Sequence, residues 1–370
     1  MDLGVSILGR IVSDSVRIPY EGVGCATEEF LQASGKFSVL KKYLSRYLRL
    51  LVGGQLGREV ANIPVGARVL WLHAGKRNIG DALMEASGRL LLKERRIPID
   101  LLTLPNLASV FEGDDIFSRV YYEASEVNVA DYDYVLMTEF NHRTIKTKNR
   151  YFHEVPYACM FRYFYGPDRN QTMFSFAAIN EIFSLGLSAD VIADKAKPYM
   201  YVSKDTVESA GYEPKRPFIT ISVGGIDANR SYRKWRDVLS LFDDSELSQA
   251  VQTVVLLGSE NGRVCADELM NLTFSKLNLI SYVGQLTLKE SQVVIDQSQR
   301  FIGCDGGLMH VAHTTSTPTV SIFANEPHHL RLTKRCHSLP LQGVCDVNDV
   351  LPDQIFNALR QSLGTSFEGN

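Results

Sequence analysis

Residues 300–323, RFIGCDGGLMHVAHTTSTPTVSIF, constrain the fold more than any other stretch of this 370-residue chain. A short apolar run over 300–304 is broken by Asp305-Gly306-Gly307. Leu308, Val311 and Ala312 then recur at helical spacing, and Pro318 opens a β-branched run over 319–323. The pattern predicts strand, Gly-rich turn, short helix, strand. Such a turn leaves the first N–H groups of a helix unsatisfied, at the positive end of its dipole and beside the carboxyl end of a strand. That place suits a phosphate or diphosphate. Gly306 and Gly307 let a ligand come close to the backbone, and His310, in the first turn, can reach the same anion. A plain βαβ connection with a satisfied histidine would leave the same local pattern.

The second half of the chain repeats this unit. Strands are expected at 218–223, 253–258, 278–283, 300–304 and 319–323, with helices near 232–242, 262–272, 287–297 and 307–316. Regular alternation of this kind gives a doubly wound parallel sheet, which binds ligands outside the carboxyl ends of its strands. Three strand ends carry glycine or polar residues. One is Ser222-Val223-Gly224-Gly225, followed by Asn229 and Arg230; the second is Gly258-Ser259-Glu260; the third is Asp305-Gly306-Gly307. Gathered at one place, they suit a nucleotide diphosphate. Arg230 would neutralise phosphate, Glu260 would accept from ribose hydroxyls, and Gly224, Gly225 and Ser259 would line the nucleotide. Taken singly, Arg230 and Glu260 read equally well as solvated surface charges.

The first half offers a second candidate site. A strand at 68–73 leads through a polar loop, 74–80, into a helix over 81–96, and a strand follows at 98–104. Further strands are expected at 118–123 and 132–140. Asp81 either caps its helix, which stabilises by about 1 kcal/mol, or stands at the carboxyl end of the first strand as a general base in an inter-domain cleft. A basic cluster of Arg143, Lys146, Lys148 and Arg150 precedes an aromatic-rich stretch with Tyr151, Phe152, Tyr157, Phe161, Tyr163, Phe164, Tyr165, Phe174 and Phe176. Aromatics beside cations could receive a sugar or a phosphorylated acceptor; they could equally be core with solvated charges around it.

Before this lies a patterned segment. Over 37–52, Leu40, Tyr43, Leu44, Tyr47, Leu48 and Leu51 share one helical face, while Lys41, Lys42, Arg46 and Arg49 lie off it. The helix either packs that face on the first domain or lies in the interface of an anionic membrane. A chain of this length fits two domains of roughly 150–200 residues. Its apolar fraction of 45% is enough for two cores, and its net charge of −3 does not favour nucleic acid as a partner. Six scattered cysteines, Cys25, Cys159, Cys265, Cys304, Cys336 and Cys345, form no CxxC pair. Their spacing argues against a zinc site or a disulfide framework and fits a reducing cytoplasm. The opening MDLGVSILGRIVSDSV lacks the basic start and long apolar core of a signal peptide, and no apolar run is long enough to span a bilayer.

With these segments in hand, residues 68–363 resemble the heptosyltransferase-like glycosyltransferases, glycosyltransferase family nine, apart from the aromatic middle. The residues that carry the likeness are 303–312 (GCDGGLMHVA) with 318–323 (PTVSIF), similar to the family's D-[ST]-G-x-x-H-x-A box and its following strand. Residues 282–290 (YVGQLTLKE) resemble the segment before it, and Asn78-Ile79-Gly80-Asp81 the N-terminal G-D element. The resemblance implies a GT-B fold, α/β with two Rossmann-like domains facing a cleft. It implies an inverting, metal-independent transferase with no cofactor, which uses a nucleotide-diphosphate sugar such as ADP-heptose in building a bacterial lipopolysaccharide-type glycan. Asp81 becomes the catalytic base. Arg230, Asp305, Gly306, Gly307 and His310 hold the diphosphate; Gly224, Gly225, Ser259 and Glu260 hold the nucleotide; Asn78, Arg143 and Lys146 face the glycan, lipid or protein acceptor. The chain departs from the family in three places. Gly306 replaces a Ser or Thr. Arg230 stands in for a Lys, and closer to Trp235. Ala324-Asn325-Glu326-Pro327 replaces G-P-T. The expected organisation is an N-terminal helical extension over 1–60, an acceptor-side domain over 61–205, a nucleotide-sugar domain over 206–345, and a C-terminal helix and tail over 346–370. The expected place is the cytoplasm, with peripheral contact on the inner face of the inner membrane. The start at 78–81 also resembles polysaccharide pyruvyl transferases, and a non-catalytic nucleotide-binding protein on the same frame is a third reading.

Overall fold

A computed structural model describes residues 2–17, 20, 23, 27–75, 77–166, 169–209 and 217–364. Cys25, Lys76 of the polar loop, residues 210–216 of the segment between the halves and the tail from 365 lie outside the described residues. The chain divides into two compact units, Met1–Ala196 and Lys197–Asn370.

The first unit is built on five strands: β1 Val69–His73, β2 Ile99–Thr103, β3 Phe117–Tyr121, β4 Tyr134–Met137 and β5 Tyr157–Cys159. They pair in parallel in the order β3-β2-β1-β4-β5. β1 is buried along its whole length, as the apolar run VLWLH requires of a central strand covered on both faces. Strand order reverses between β1 and β4, so the carboxyl ends of those two strands flank this sheet's switch point.

The helix expected over 81–96 is two helices, Ile79–Glu85 and Arg89–Glu94. The break is a packing contact. A Cβ on Gly88 would lie 2.6 Å from the Ser175 carbonyl oxygen, so only glycine lets helix Gln171–Ile182 come this close. Ser175 Oγ then staples the break, accepting from Gly88 N at 3.0 Å and donating to Glu85 O at 2.6 Å. That helix, QTMFSFAAINEI, is buried almost all round. Phe152, Tyr157, Phe161, Phe164, Phe174 and Phe176 are buried as well. Most of the aromatic stretch is therefore core, with edge-to-face pairs such as Phe161–Phe174 at 4.4 Å, while Tyr151, Tyr163 and Tyr165 are half-buried.

The N-terminal segment folds as helices Asp2–Val16, Thr27–Ser34 and Lys36–Val52. Val12, Val16 and Val39 form a small satellite core, while Leu50 joins the core of the first sheet. The apolar face expected over 37–52 is divided. Tyr43 and Tyr47 are half-buried, but Leu44, Leu48 and Leu51 are 42%, 52% and 50% exposed. The buried edge of the helix is centred on Val39 and Leu50, rotated away from them.

The second unit holds β6 Phe218–Ser222, β7 Thr253–Leu257, β8 Asn278–Ser281, β9 Phe301–Cys304, β10 Thr319–Phe323 and β11 Ser338–Gln342. All pair in parallel, in the order β11-β10-β9-β6-β7-β8. This is the order of a dinucleotide-binding sheet, and its switch point lies between β6 and β9. Two strands, β5 and β11, were not expected. β5 has only three residues, and β11 carries Pro340 and lies at the sheet edge, where a proline is tolerated.

Lys148, fully buried in helix His142–Tyr151, ties the N-terminal segment to this first unit. Its Nζ donates to Gln55 Oε1 and Phe152 O, both at 2.7 Å, and to His153 O at 3.3 Å. Burial pushes its pKa down to about 7. Above that pH the folded state holds the amine neutral while the unfolded chain keeps the proton, so the unfolded state binds more protons and stability rises with pH. The unfolding free energy of the wild type should gain on that of Lys148→Met as pH is raised from about 7 to about 9, by up to about 1.4 kcal/mol per unit. A difference that does not change with pH would show that Lys148 keeps its ordinary pKa.

Candidate functional site

At the β6–β9 switch point the chain brings together residues from three strand ends. After β6 the backbone turns at Gly224, whose φ is +82°. A Cβ there would lie 2.6 Å from Gly262 Cα and 2.8 Å from its N, backbone against backbone, so a side chain is excluded by space as well as by conformation. Gly258 and Gly262 in turn lie against the Val223 carbonyl oxygen. These contacts close the end of β6 on the turn that follows β7, and so set Gly224 and Gly225 beside the Ser259–Gly262 turn.

Asp305 follows β9 and is 4% exposed. Its Oδ1 lies 3.5 Å from His310 Nε2, and its Oδ2 lies 3.4 Å from Arg230 Nη1 and 4.0 Å from Arg331 Nε. Burial would raise this carboxyl's pKa; the bond from His310 and the charges of Arg331 and Arg230 outweigh it and hold the pKa below the usual carboxylate range. Asp305 is thus a fixed negative charge that gathers Arg230, His310 and Arg331 from three elements. His310 is buried, and its Nδ1 makes no hydrogen bond. His313, one turn on, is neutral: burial pushes its pKa down to about 3, and its Nε2 sits 3.3 Å from Ser321 Oγ.

Gly306 opens helix Gly307–Ala312 in fully extended conformation, φ −177°, which any residue adopts. A Cβ at Gly306 would meet only the Cys304 carbonyl oxygen, at 3.6 Å. A serine or threonine would fit there, so the glycine leaves open space above the turn.

Arg230 therefore joins Asp305 and His310 directly, with Gly306 and Gly307 between them. Glu260 stands further out. It is exposed and paired with Arg263, whose Nη2 lies 2.7 Å from its Oε2, and the same oxygen lies 2.3 Å from where a Gly284 Cβ would be. Ser259, also exposed, donates to Asn261. The sequence reading missed Arg331 and its second partner Glu326, whose Oε2 lies 3.4 Å from Arg331 Nη2. The available signal was position: both follow the carboxyl end of β10, beside β9 in the sheet.

The first unit carries its own group at the β1–β4 switch point. Asn78 is the N-cap residue of helix Ile79–Glu85, and Asp81 is its third residue. Asp81 is not at the N-cap position; its Oδ2 accepts from Asn78 Nδ2 at 3.4 Å. Glu139, another residue not singled out from sequence, follows β4. It accepts from Asn141 Nδ2 at 2.8 Å, and Asn141 caps helix His142–Tyr151 by accepting from Thr144 N at 2.8 Å. A Cβ on Gly75 would lie 2.1 Å from Glu139 Oε1, so the loop after β1 passes directly over this carboxylate. Arg143 Nη1 donates to Ala74 O at 3.3 Å in the same loop, whereas Lys146 points to solvent.

Residues 177–335 match the model of glycosyltransferase family 9 (heptosyltransferase). That segment contains the whole Asp305 group. No curated protein sequence matches the chain. Among solved structures, a glycosyltransferase family 9 protein from Veillonella parvula superimposes with a TM-score of 0.67 at 13% identity, over 83% of this chain and 100% of its own. ADP-heptose LPS heptosyltransferase II of E. coli gives 0.58 at 15% identity, over 81% and 99%. E. coli heptosyltransferase WaaC, solved with ADP, gives 0.60 at 11% identity, over 80% and 99%. At such identities the likeness establishes the fold, the two-domain α/β architecture of GT-B type.

Proposed function

We propose that this protein transfers a sugar from a nucleotide-diphosphate donor to a hydroxyl of a glycan-type acceptor, in one inverting displacement. The observation that carries this reading is the Asp305 group: a buried carboxylate holding Arg230 and His310 around the open turn at Gly306-Gly307, at the switch point of a glycosyltransferase family 9 domain. As the bond from the anomeric carbon to the diphosphate breaks, negative charge grows on the departing oxygens. Arg230, the amides of the turn and His310 would meet that charge in place. Side chains would therefore supply the positive charge of the leaving-group site, without a metal. Asp81 would take the proton from the acceptor hydroxyl as it attacks, with Asn78 and Arg143 disposed around the acceptor. Gly224, Gly225, Ser259 and Glu260 would hold the nucleoside. The ADP held by E. coli WaaC, and the ADP-2-deoxy-2-fluoro heptose bound to it in another structure of the same fold, favour an adenine nucleotide and a heptose; a lipopolysaccharide-type glycan is the corresponding acceptor.

A thermal-shift screen with ADP, GDP and UDP and their sugars tests the donor site, because a ligand that binds only the folded state raises its stability by mass action. Stabilisation by at least one nucleoside diphosphate is expected; none by any would contradict the reading. Where turnover is measured, Asp81→Asn should lower it about 10²–10⁴-fold and leave nucleotide binding near normal. Unchanged turnover would remove Asp81 from the role of base.

We also propose a peripheral place for the protein, in the cytoplasm against the inner membrane. Phe37, Leu44, Leu48, Leu51 and Val52 form an exposed apolar stripe on helix Lys36–Val52, with Phe37 79% and Val52 87% exposed. Lys41, Lys42 and Arg49 are exposed alongside, and the helix holds no acidic residue. Buried apolar area and attraction to anionic headgroups add in such a helix. The protein should sediment with phosphatidylglycerol-containing vesicles and much less with pure phosphatidylcholine, and Leu44→Glu/Leu48→Glu should abolish the difference. No sedimentation with the anionic vesicles would refute the assignment.

A further inference from the structure

Two guanidiniums share one oxygen of Asp305. Arg230 comes from the turn after β6 and Arg331 from the segment after β10, so they approach the carboxylate from opposite sides of β9 in the sheet. Neither approach has the geometry of a strong charge-assisted bond, which closes to about 2.7–2.9 Å. At 3.4 and 4.0 Å both heads are held beside Asp305 by charge; Arg331 Nη2 donates to Glu326 Oε2 at 3.4 Å, and Arg230 Nε lies 3.9 Å from Asp227 Oδ2. Asp305 Oδ2 itself is buried and accepts no hydrogen bond. Arg331 is the more enclosed of the two, with 17% of its side chain exposed against 33% for Arg230. Its second carboxylate, Glu326, is also loose at 3.4 Å. A guanidinium this enclosed, spread between two carboxylates and bidentate to neither, is placed as an anion receptor with incomplete partners.

We propose that Arg331 is a second phosphate-binding residue of the donor site, holding one phosphoryl group of a nucleoside diphosphate while Arg230 holds the other. The assignment rests on the nucleotide-sugar reading above and names what a diphosphate gains over a monophosphate at that site. Arg331 lies against Asp305, the residue before Gly306.

Calorimetry on the full chain with ADP, GDP and UDP and with the matching monophosphates tests this. Arg331→Gln should lose affinity for the bound diphosphate by roughly 10–100-fold, the loss of charge-assisted bonds to a phosphate, with a much smaller change for the monophosphate. Arg331→Lys, which keeps the charge but not the fork, should fall between. Glu326→Gln frees Arg331 from one carboxylate and should tighten the diphosphate several-fold; this variant stands as the test if Arg331→Gln does not fold. Equal losses for diphosphate and monophosphate, no loss in either Arg331 variant, or weaker diphosphate binding in Glu326→Gln would overturn the assignment. Failure of the unaltered protein to bind any nucleoside diphosphate would instead overturn the underlying nucleotide-sugar reading, which separates the two.

Discussion

A buried carboxylate cannot stay charged in a protein interior without partners, and Asp305 satisfies that requirement by drawing cations to the end of β9. Its depressed pKa, set by His310, Arg331 and Arg230 against the opposing effect of burial, keeps it charged. Everything proposed for the second unit depends on this. The carboxylate does not bind an anion; it fixes the side chains that would. Removing it would leave Arg331, largely enclosed, to Glu326 and Arg230 to Asp227.

The sheet supplies the place. Reversal of strand order between β6 and β9 parts the loops that follow those strands, and the Asp305 group lies at that point. Glycine contacts set the strand ends together there. Gly224, Gly258 and Gly262 pass so close to neighbouring backbone that any side chain would push the strand ends apart. The first sheet repeats the arrangement at its own switch point, where Gly75 gives way to Glu139 as Gly224 gives way to Gly262. There the group holds two carboxylates, Asp81 and Glu139, with the Arg143 guanidinium donating to Ala74 O in the same loop.

Much of this was legible in the sequence because it is local. The strands of both sheets show as apolar runs, since parallel strands are buried on both faces. The Asp305–His310 turn announces itself through two glycines between a strand and a helix. What escaped was set by contacts between distant residues. Nothing in DALMEASGRLLLKERR says that the helix must break at Gly88; Ser175, far along the chain, decides it. The aromatic run after residue 150 looked as suitable for a sugar as for a core, and burial places most of its rings in the core. On the helix Lys36–Val52 periodicity found the apolar residues, but which of them face protein depends on a satellite core of three valines drawn from two helices. Arg331 lies in a segment with no motif and Glu326 in the stretch that departs from G-P-T, and the pairing of β10 with β9 brings Arg331, with Glu326 beside it, to Asp305. β11 was hidden by its proline, which an edge strand tolerates and a central one would not.

The most direct test of the Asp305 arrangement is a crystal structure of the protein grown with ADP. The diphosphate should lie at the end of β9, with phosphate oxygens within hydrogen-bond reach of the Arg230 guanidinium and the Gly307 amide, and with Asp305 still beneath them, touching no phosphate. ADP bound elsewhere on the chain, or at this place with Arg230 turned away into solvent, would contradict the account.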